Sequence, residues 1–202
     1  MRCGLTGRRD KRPGMNVYDF DQTIFKPDSS YAFVLFCLRH YPRAVLHAVP
    51  GMAGYGLLRL AKQADTRALK EKVFSFLPQL DDVDRIVREF WTANWPGIQQ
   101  WYLDQKQDDD LIISASPAFL LQPAADRLGV RLIATPMDRH TGKIIGKNCH
   151  DYEKVTRFYA AFPEEKPECF YSDSLSDAPM ARLAGQAFLV TKEGRVPWPF
   201  QA

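Results

Sequence analysis

Residues 17–25 read VYDFDQTIF, an apolar and aromatic run that carries carboxylates at Asp19 and Asp21 and a hydroxyl at Thr23. Charge inside a stretch otherwise built for burial is costly unless it is paired or bound to a cation. The period of two along a strand turns both carboxylates to the same side. Two like charges this close hinder each other's ionisation, and a hard divalent cation with oxygen ligands relieves that. A polar strand end followed by helix-capping residues is the plainer alternative. These nine residues alone do not separate the two readings, so the rest of the chain must.

The chain has 202 residues, 46% of them hydrophobic, enough to bury a substantial core as one domain or as a domain with a sizeable insertion. Its formal charge of +3 comes from the leader MRCGLTGRRDKRPG, residues 1–14, which holds five basic side chains and one acidic. Subtracting these from 27 basic and 24 acidic leaves 22 against 23, a remainder of −1. A short basic leader is neither a face nor a stripe, so nucleic acid is not expected as a partner. The leader lacks the apolar run of a secretory signal and reads as a disordered extension, with Met15 as an alternative start. Cys3, Cys37, Cys149 and Cys169 have no metal-type spacing, which fits a reduced, cytoplasmic setting.

Strand patterns at 16–20 and 111–115 are separated by some 85 residues of helical periodicity, interrupted by Pro42, Pro50, Pro78 and Pro96. After residue 111 strands and helices alternate: a helix after Ser116-Pro117, a strand at 131–134, a hairpin tip at Thr141-Gly142, a helix at 152–161, a strand at 169–171, a helix at 178–183 and a strand at 187–190. Such alternation predicts an α/β fold, a Rossmann-like parallel sheet covered on both faces. Residues 15–26 and 108–202 form the core in this reading, and residues 27–107 an all-helical cap inserted after the first strand.

Ligands of such sheets bind beyond the carboxyl ends of the strands, where Asp19 and Asp21 fall. Ile113-Ser114-Ala115-Ser116 brings hydroxyls and free amides to a second strand end that enters a helix, a natural phosphate site. Tyr171-Ser172-Asp173-Ser174-Leu175-Ser176-Asp177 repeats the arrangement at another, and Lys154 opens a helix between them. Each has a common structural explanation alone, as a cap or a solvated side chain. Their order and shared position at strand ends favour function.

DFDQT, IISAS, Lys154 and YSDSLSD resemble, in order, the four motifs of the haloacid dehalogenase superfamily. The run IATPMDRHTGKIIGKNCHDYEK is similar to its subfamily IB, which includes phosphoserine phosphatase and bacterial phosphatidylglycerophosphatases. The resemblance spans roughly residues 15–200, and departs from the pattern at Gln22, where many members carry glycine. It implies Asp19 as nucleophile, Asp21 as general acid and base, Thr23 as a support, and Ser114, Ala115 and Lys154 on the phosphoryl group. It further implies Mg²⁺ held by Asp19, the Phe20 backbone carbonyl, Asp173 and Asp177. The implied activity is phosphomonoester hydrolysis through an aspartyl phosphate; a phosphotransferase of the same fold, or a catalytically silent binding protein, are the competing readings.

The cap is expected to choose the substrate. Residues 29–64 contain no Asp or Glu but include Arg39, Arg43, Arg59 and Lys62, and Ala44–Leu58 is an uncharged run. That run is shorter than the ~20 residues a spanning helix needs. A basic, apolar cap suits a lipid phosphate met at a membrane surface, with Arg39 and Arg43 as substrate contacts; a cap helix with a wet basic edge, serving a small phosphorylated metabolite, is the alternative. Trp91, Trp95 and Trp101 read as cap core, and the four histidines form no ligand pattern. The sequence sets no oligomeric state.

Overall fold

A computed structural model describes residues 14–46 and 66–199. Residues 1–13 of the leader and most of the uncharged run of the cap therefore lie outside the described residues. Six strands form one sheet: β1 Val17–Tyr18, β2 Leu111–Pro117, β3 Arg131–Thr135, β4 Cys169–Ser172, β5 Gln186–Thr191 and β6 Gly194–Pro197. Their order is β3-β2-β1-β4-β5-β6, all parallel except the β5–β6 hairpin. Sequence alternation did not anticipate β6, whose residues are mostly exposed and so carry no hydrophobic period.

The first strand is shorter than its pattern suggests, with two residues paired to both β2 and β4. The ladder continues one step further, where the Asp19 amide donates to the Tyr171 carbonyl at 2.8 Å. Being central, β1 has its two apolar faces covered on opposite sides. Tyr18 stacks on Tyr171 at 4.8 Å between ring centroids, and Tyr171 on Phe188 at 5.0 Å. Val17 faces the other way, with Leu111, Ile113 and Phe170.

Helices α6 Ala118–Leu128, α7 Tyr152–Ala161 and α8 Ala178–Leu183 link the strands after β2. The second core face receives Phe158 of α7, Met180 and Ala181 of α8, and Trp198. The first face receives α6 and the inserted helices: α1 Ser29–His40, α2 Pro42–Val45, α3 Thr66–Val73, α4 Val83–Asn94 and α5 Gln100–Leu103. Insertion and sheet share one continuous apolar cluster. Trp91 of α4 is buried in it and donates its indole N–H to the Leu120 carbonyl at 2.6 Å. Trp101, on inserted helix α5, joins the sheet's aromatic stack 5.8 Å from Tyr171, and Trp95 lies beneath the Arg127 guanidinium at 3.8 Å.

The hairpin tip expected at Thr141-Gly142 is present: Met137 pairs with Ile144, and the Gly142 amide donates to the Asp138 carbonyl at 2.8 Å. Gly142 has φ of 70°, and a side chain there would collide with the Phe74 carbonyl. Cap and hairpin meet at that point. Among the described residues Cys37 and Cys149 are free, buried thiols. Among the described residues no helix is long and apolar enough to cross a membrane.

Candidate active site

Three neighbouring strands deliver polar groups to one edge of the sheet. Asp19 leaves the end of β1, Ser114 and Ser116 lie near the end of β2, and Ser172 and Asp173 end β4. All are at carboxyl ends because the strands are parallel, so a strand-end position in sequence becomes a shared edge in space.

Lys154, in the first turn of α7, crosses to the same place. Its ammonium is 2.8 Å from Asp19 Oδ1 and 2.7 Å from Asp177 Oδ2, and the side chain is only 2% exposed. Asp177 Oδ2 also accepts the Ser172 hydroxyl at 2.7 Å. Burial opposes the charge on Lys154, yet the two carboxylates outweigh it and hold the lysine above its ordinary pKa. Burial likewise pushes Asp19 upward, and the Lys154 ammonium works against that rise. The lysine offsets that rise only in part and Asp19 ends at about 8; without the ammonium, two carboxylates would be left buried together.

Asp21 sits in a different environment. Its Oδ1 accepts the Ser29 amide at 2.7 Å, and its Oδ2 accepts the Ser116 hydroxyl. Ser29 is the first residue of α1, so the cap's first helix presents its free amide to this carboxylate. Burial pushes Asp21 up to about 6, with the neighbouring Asp28 adding to the rise. Ser116 is the link back to β2, because its amide donates to Ser114 Oγ at 3.1 Å. Thr23 is fully buried, and its hydroxyl accepts the Asp173 amide at 3.0 Å, tying the first loop to the end of β4.

The turn between these residues corrects one sequence expectation. The Phe20 carbonyl accepts amides from Thr23, Ile24 and Phe25, at 3.3, 2.9 and 2.9 Å. An oxygen so occupied does not suit a metal, and Phe20 is withdrawn as a ligand. Asp177 is engaged by Lys154 and Ser172, which makes it a holder of the lysine. Among the described residues no three His, Cys, Asp or Glu side chains converge tightly enough to hold a metal by themselves. Asp19, engaged by Lys154 at one oxygen, and Asp173 at the neighbouring strand end remain as hard oxygen donors. Mg²⁺ commonly uses one or two carboxylates with water and phosphate oxygens, and that pair fits such a set. Gln22 adopts φ of 56°, the left-handed turn for which glycine is the unstrained residue.

Lys70 of α3 was not foreseen. Its ammonium donates to the Ala115 carbonyl at 2.6 Å and to Asn148 Oδ1 at 3.1 Å, placing a cap cation beside the β2 turn. Burial lowers its pKa to about 8, although Asp21 and Asp28 pull it back up. Nothing in the spacing of the cap's many basic residues distinguishes this one. Two neighbours on the helix fasten it down: Arg67 donates to the Gly146 and Ile144 carbonyls at 2.8 and 3.0 Å, and Glu71 accepts the Ile144 amide at 3.1 Å.

Arg39 and Arg43 are not brought to this cluster. Ten residues of α1 separate Ser29 from Arg39, about 15 Å along the axis. Both arginines are exposed, and Arg43 lines a separate recess of about 330 Å³ with His40, Gln79 and Arg85. Asp19, Asp21, Thr23, Ser114, Ala115, Lys154, Asp173 and Asp177, by contrast, gather at one sheet edge.

A buried lysine between two aspartates, a third aspartate under a hydroxyl and an amide, and a helical insertion above them mark out a charged centre at the carboxyl edge of a mostly parallel α/β sheet. Over residues 17–182 the sequence matches the haloacid dehalogenase-like hydrolases, and the chain belongs to that family. Protein CicA of Caulobacter vibrioides is 28% identical over 211 residues, covering 90% of this chain and 88% of its own. Among solved structures, a protein of unknown function from Bordetella pertussis Tohama I superposes with a TM-score of 0.74 at 20% identity, covering 95% of this chain and 93% of that one. A phosphoserine phosphohydrolase-like protein from Francisella tularensis gives a TM-score of 0.56 at 16% identity, over 87% and 86% of the two chains.

Proposed function

We propose that this protein is a Mg²⁺-dependent phosphomonoester hydrolase working through an aspartyl phosphate. The observation that carries the reading is the contrast between the two carboxylates. Asp19 is bonded to the buried Lys154 ammonium, an opposite charge that favours the carboxylate form against burial, and would be the nucleophile. Asp21 is held by an amide and a hydroxyl, with no cation bonded to it, and its pKa near 6 suits a group that must both give and take a proton.

In the first step an Asp19 carboxylate oxygen attacks phosphorus, the bond from phosphorus to the ester oxygen breaks, and Asp21 gives its proton to the leaving alkoxide. In the second step Asp21 takes a proton from water, the oxygen of that water bonds to phosphorus, and Asp19 is released with inorganic phosphate. Lys154 and Ser114 bind phosphoryl oxygens and offset the negative charge that builds on them. Bound Mg²⁺, on Asp19 and Asp173, would supply Lewis-acid stabilisation of the phosphoryl group. The Asp21 protein geometry depends on α1, so an ordered cap is part of the proton-transfer site.

The test is hydrolysis of p-nitrophenyl phosphate with and without Mg²⁺, comparing the wild type with Asp19→Asn. The asparagine keeps shape but removes the nucleophile, and the rate should fall at least a thousandfold, equivalent to ~4 kcal/mol in the barrier. Retention of more than about a tenth of the rate would rule out the covalent route.

A further inference from the structure

Helix α1 has two apolar faces, and the core uses only one. Phe33, Val34 and Cys37 are buried at 0%, 1% and 0% exposure. On the other side Tyr31, Leu35 and Leu38, spaced four and three residues apart and therefore aligned, are 54%, 42% and 37% exposed. Leu46, just beyond α2, is 67% exposed. Single exposed leucines are ordinary, but a row of them along one helix marks a contact surface.

The charge around the row points to its partner. Residues 29–46 contain no Asp or Glu and carry Arg39 and Arg43, both exposed. Of the acids near the row, Asp28 is engaged by the Tyr31 amide and Glu89 by Arg85 and the Tyr41 hydroxyl, while exposed Asp81 shares the recess of Arg43. An apolar stripe bordered by Arg39 and Arg43, on a segment that itself carries no acid, complements an anionic lipid surface: the leucines enter the acyl boundary while the arginines meet the headgroups. The stripe also begins at the active site. Ser29 holds Asp21 and the Ser30 hydroxyl lies 3.1 Å from that of Ser116, one residue before Tyr31.

From this juxtaposition we infer that α1 is a membrane-docking helix, and that the substrate is a phosphate monoester on a lipid, presented to Asp19 while its acyl chains stay in the bilayer. Arg39 and Arg43 then act on the surface rather than on the scissile phosphate. The docking stands on α1 alone; the identity of the substrate rests on the phosphatase reading.

The test uses the full chain and sedimentation with vesicles of phosphatidylcholine, with or without phosphatidylglycerol. The wild type should sediment with the anionic vesicles only, less at high salt. Leu35→Glu with Leu38→Glu, and separately Arg39→Glu with Arg43→Glu, should each lower partitioning about tenfold or more. The leucine variant should keep its melting temperature and its rate on soluble p-nitrophenyl phosphate, because both side chains already face solvent. It should lose rate on a long-chain lipid phosphate in those vesicles, but not on the short-chain analogue in solution. Absence of vesicle binding by a wild type active on p-nitrophenyl phosphate overturns the docking and leaves the hydrolase reading intact. Vesicle binding without activity on any phosphate monoester leaves the surface intact and overturns the substrate assignment. A wild-type dimer that the leucine variant converts to monomer would make the stripe a self-association surface, and overturns the docking.

Discussion

Two lysines reach the same sheet edge from different regions of the molecule, and they do not behave alike. Lys154 comes from the core helix α7, is bonded to two carboxylates, and is held above its ordinary pKa. Lys70 comes from the cap helix α3, is bonded to a carbonyl and an amide oxygen, and is brought down to about 8 by burial. The core compensates its buried charges internally, whereas the cap delivers a cation whose partners are neutral. In the proposed mechanism Lys154 belongs to a fixed half of the site that would bind phosphoryl oxygens, and Lys70 to a cap half bonded only to neutral oxygens.

The sharpest way to break the comparison is Lys154→Met. Removing the ammonium leaves Asp19 and Asp177 buried together, which should cost ~3–5 kcal/mol of stability, visible in urea unfolding, and should abolish turnover. A stable variant would mean that the carboxylates do not depend on the lysine. Gly142→Ala attacks the cap side next. The left-handed backbone and the approach to the Phe74 carbonyl should together cost ~2–4 kcal/mol and loosen the hairpin that α3 grips, lowering kcat/KM as well.

Lys70→Met should be milder in stability and should lower kcat/KM by about tenfold. Its signature is in the pH dependence. A lysine whose folded pKa is lowered binds fewer protons folded than unfolded between about 8 and its ordinary value of 10.5, so its penalty is full below 8 and fades as pH rises through that window. Wild type should therefore gain stability relative to Lys70→Met between neutral pH and pH 10; parallel curves would show that Lys70 is solvated. The smallest effect belongs to Gln22→Gly, in the turn that leads from core to cap. Relief of the left-handed strain is partly offset by glycine's entropy when unfolded, so a gain of up to ~1 kcal/mol is expected, read from the urea midpoint.

Much of the core half was legible in the sequence, because its information is local. The patterns ending in Asp19, Ser114 and Asp173 are strand patterns with a polar residue where hydrophobic alternation stops, and parallel topology brings such ends together. Lys154 was legible for a related reason, standing near the start of a helix in a predicted alternation. The sequence by itself therefore determined the parallel sheet and the core's own charged groups at its edge, but not Lys70 from the cap. Only the tertiary structure decided how those groups pair. It assigned Lys154 to Asp19 and Asp177, gave Asp21 to Ser29 and Ser116, occupied the Phe20 carbonyl with the turn's own amides, and carried Arg39 away along α1 while bringing Lys70 in. The physical reason is that helical periodicity shows which residues share a face, while what that face meets depends on chain segments far away in sequence, such as Ala115 and Asn148 for Lys70.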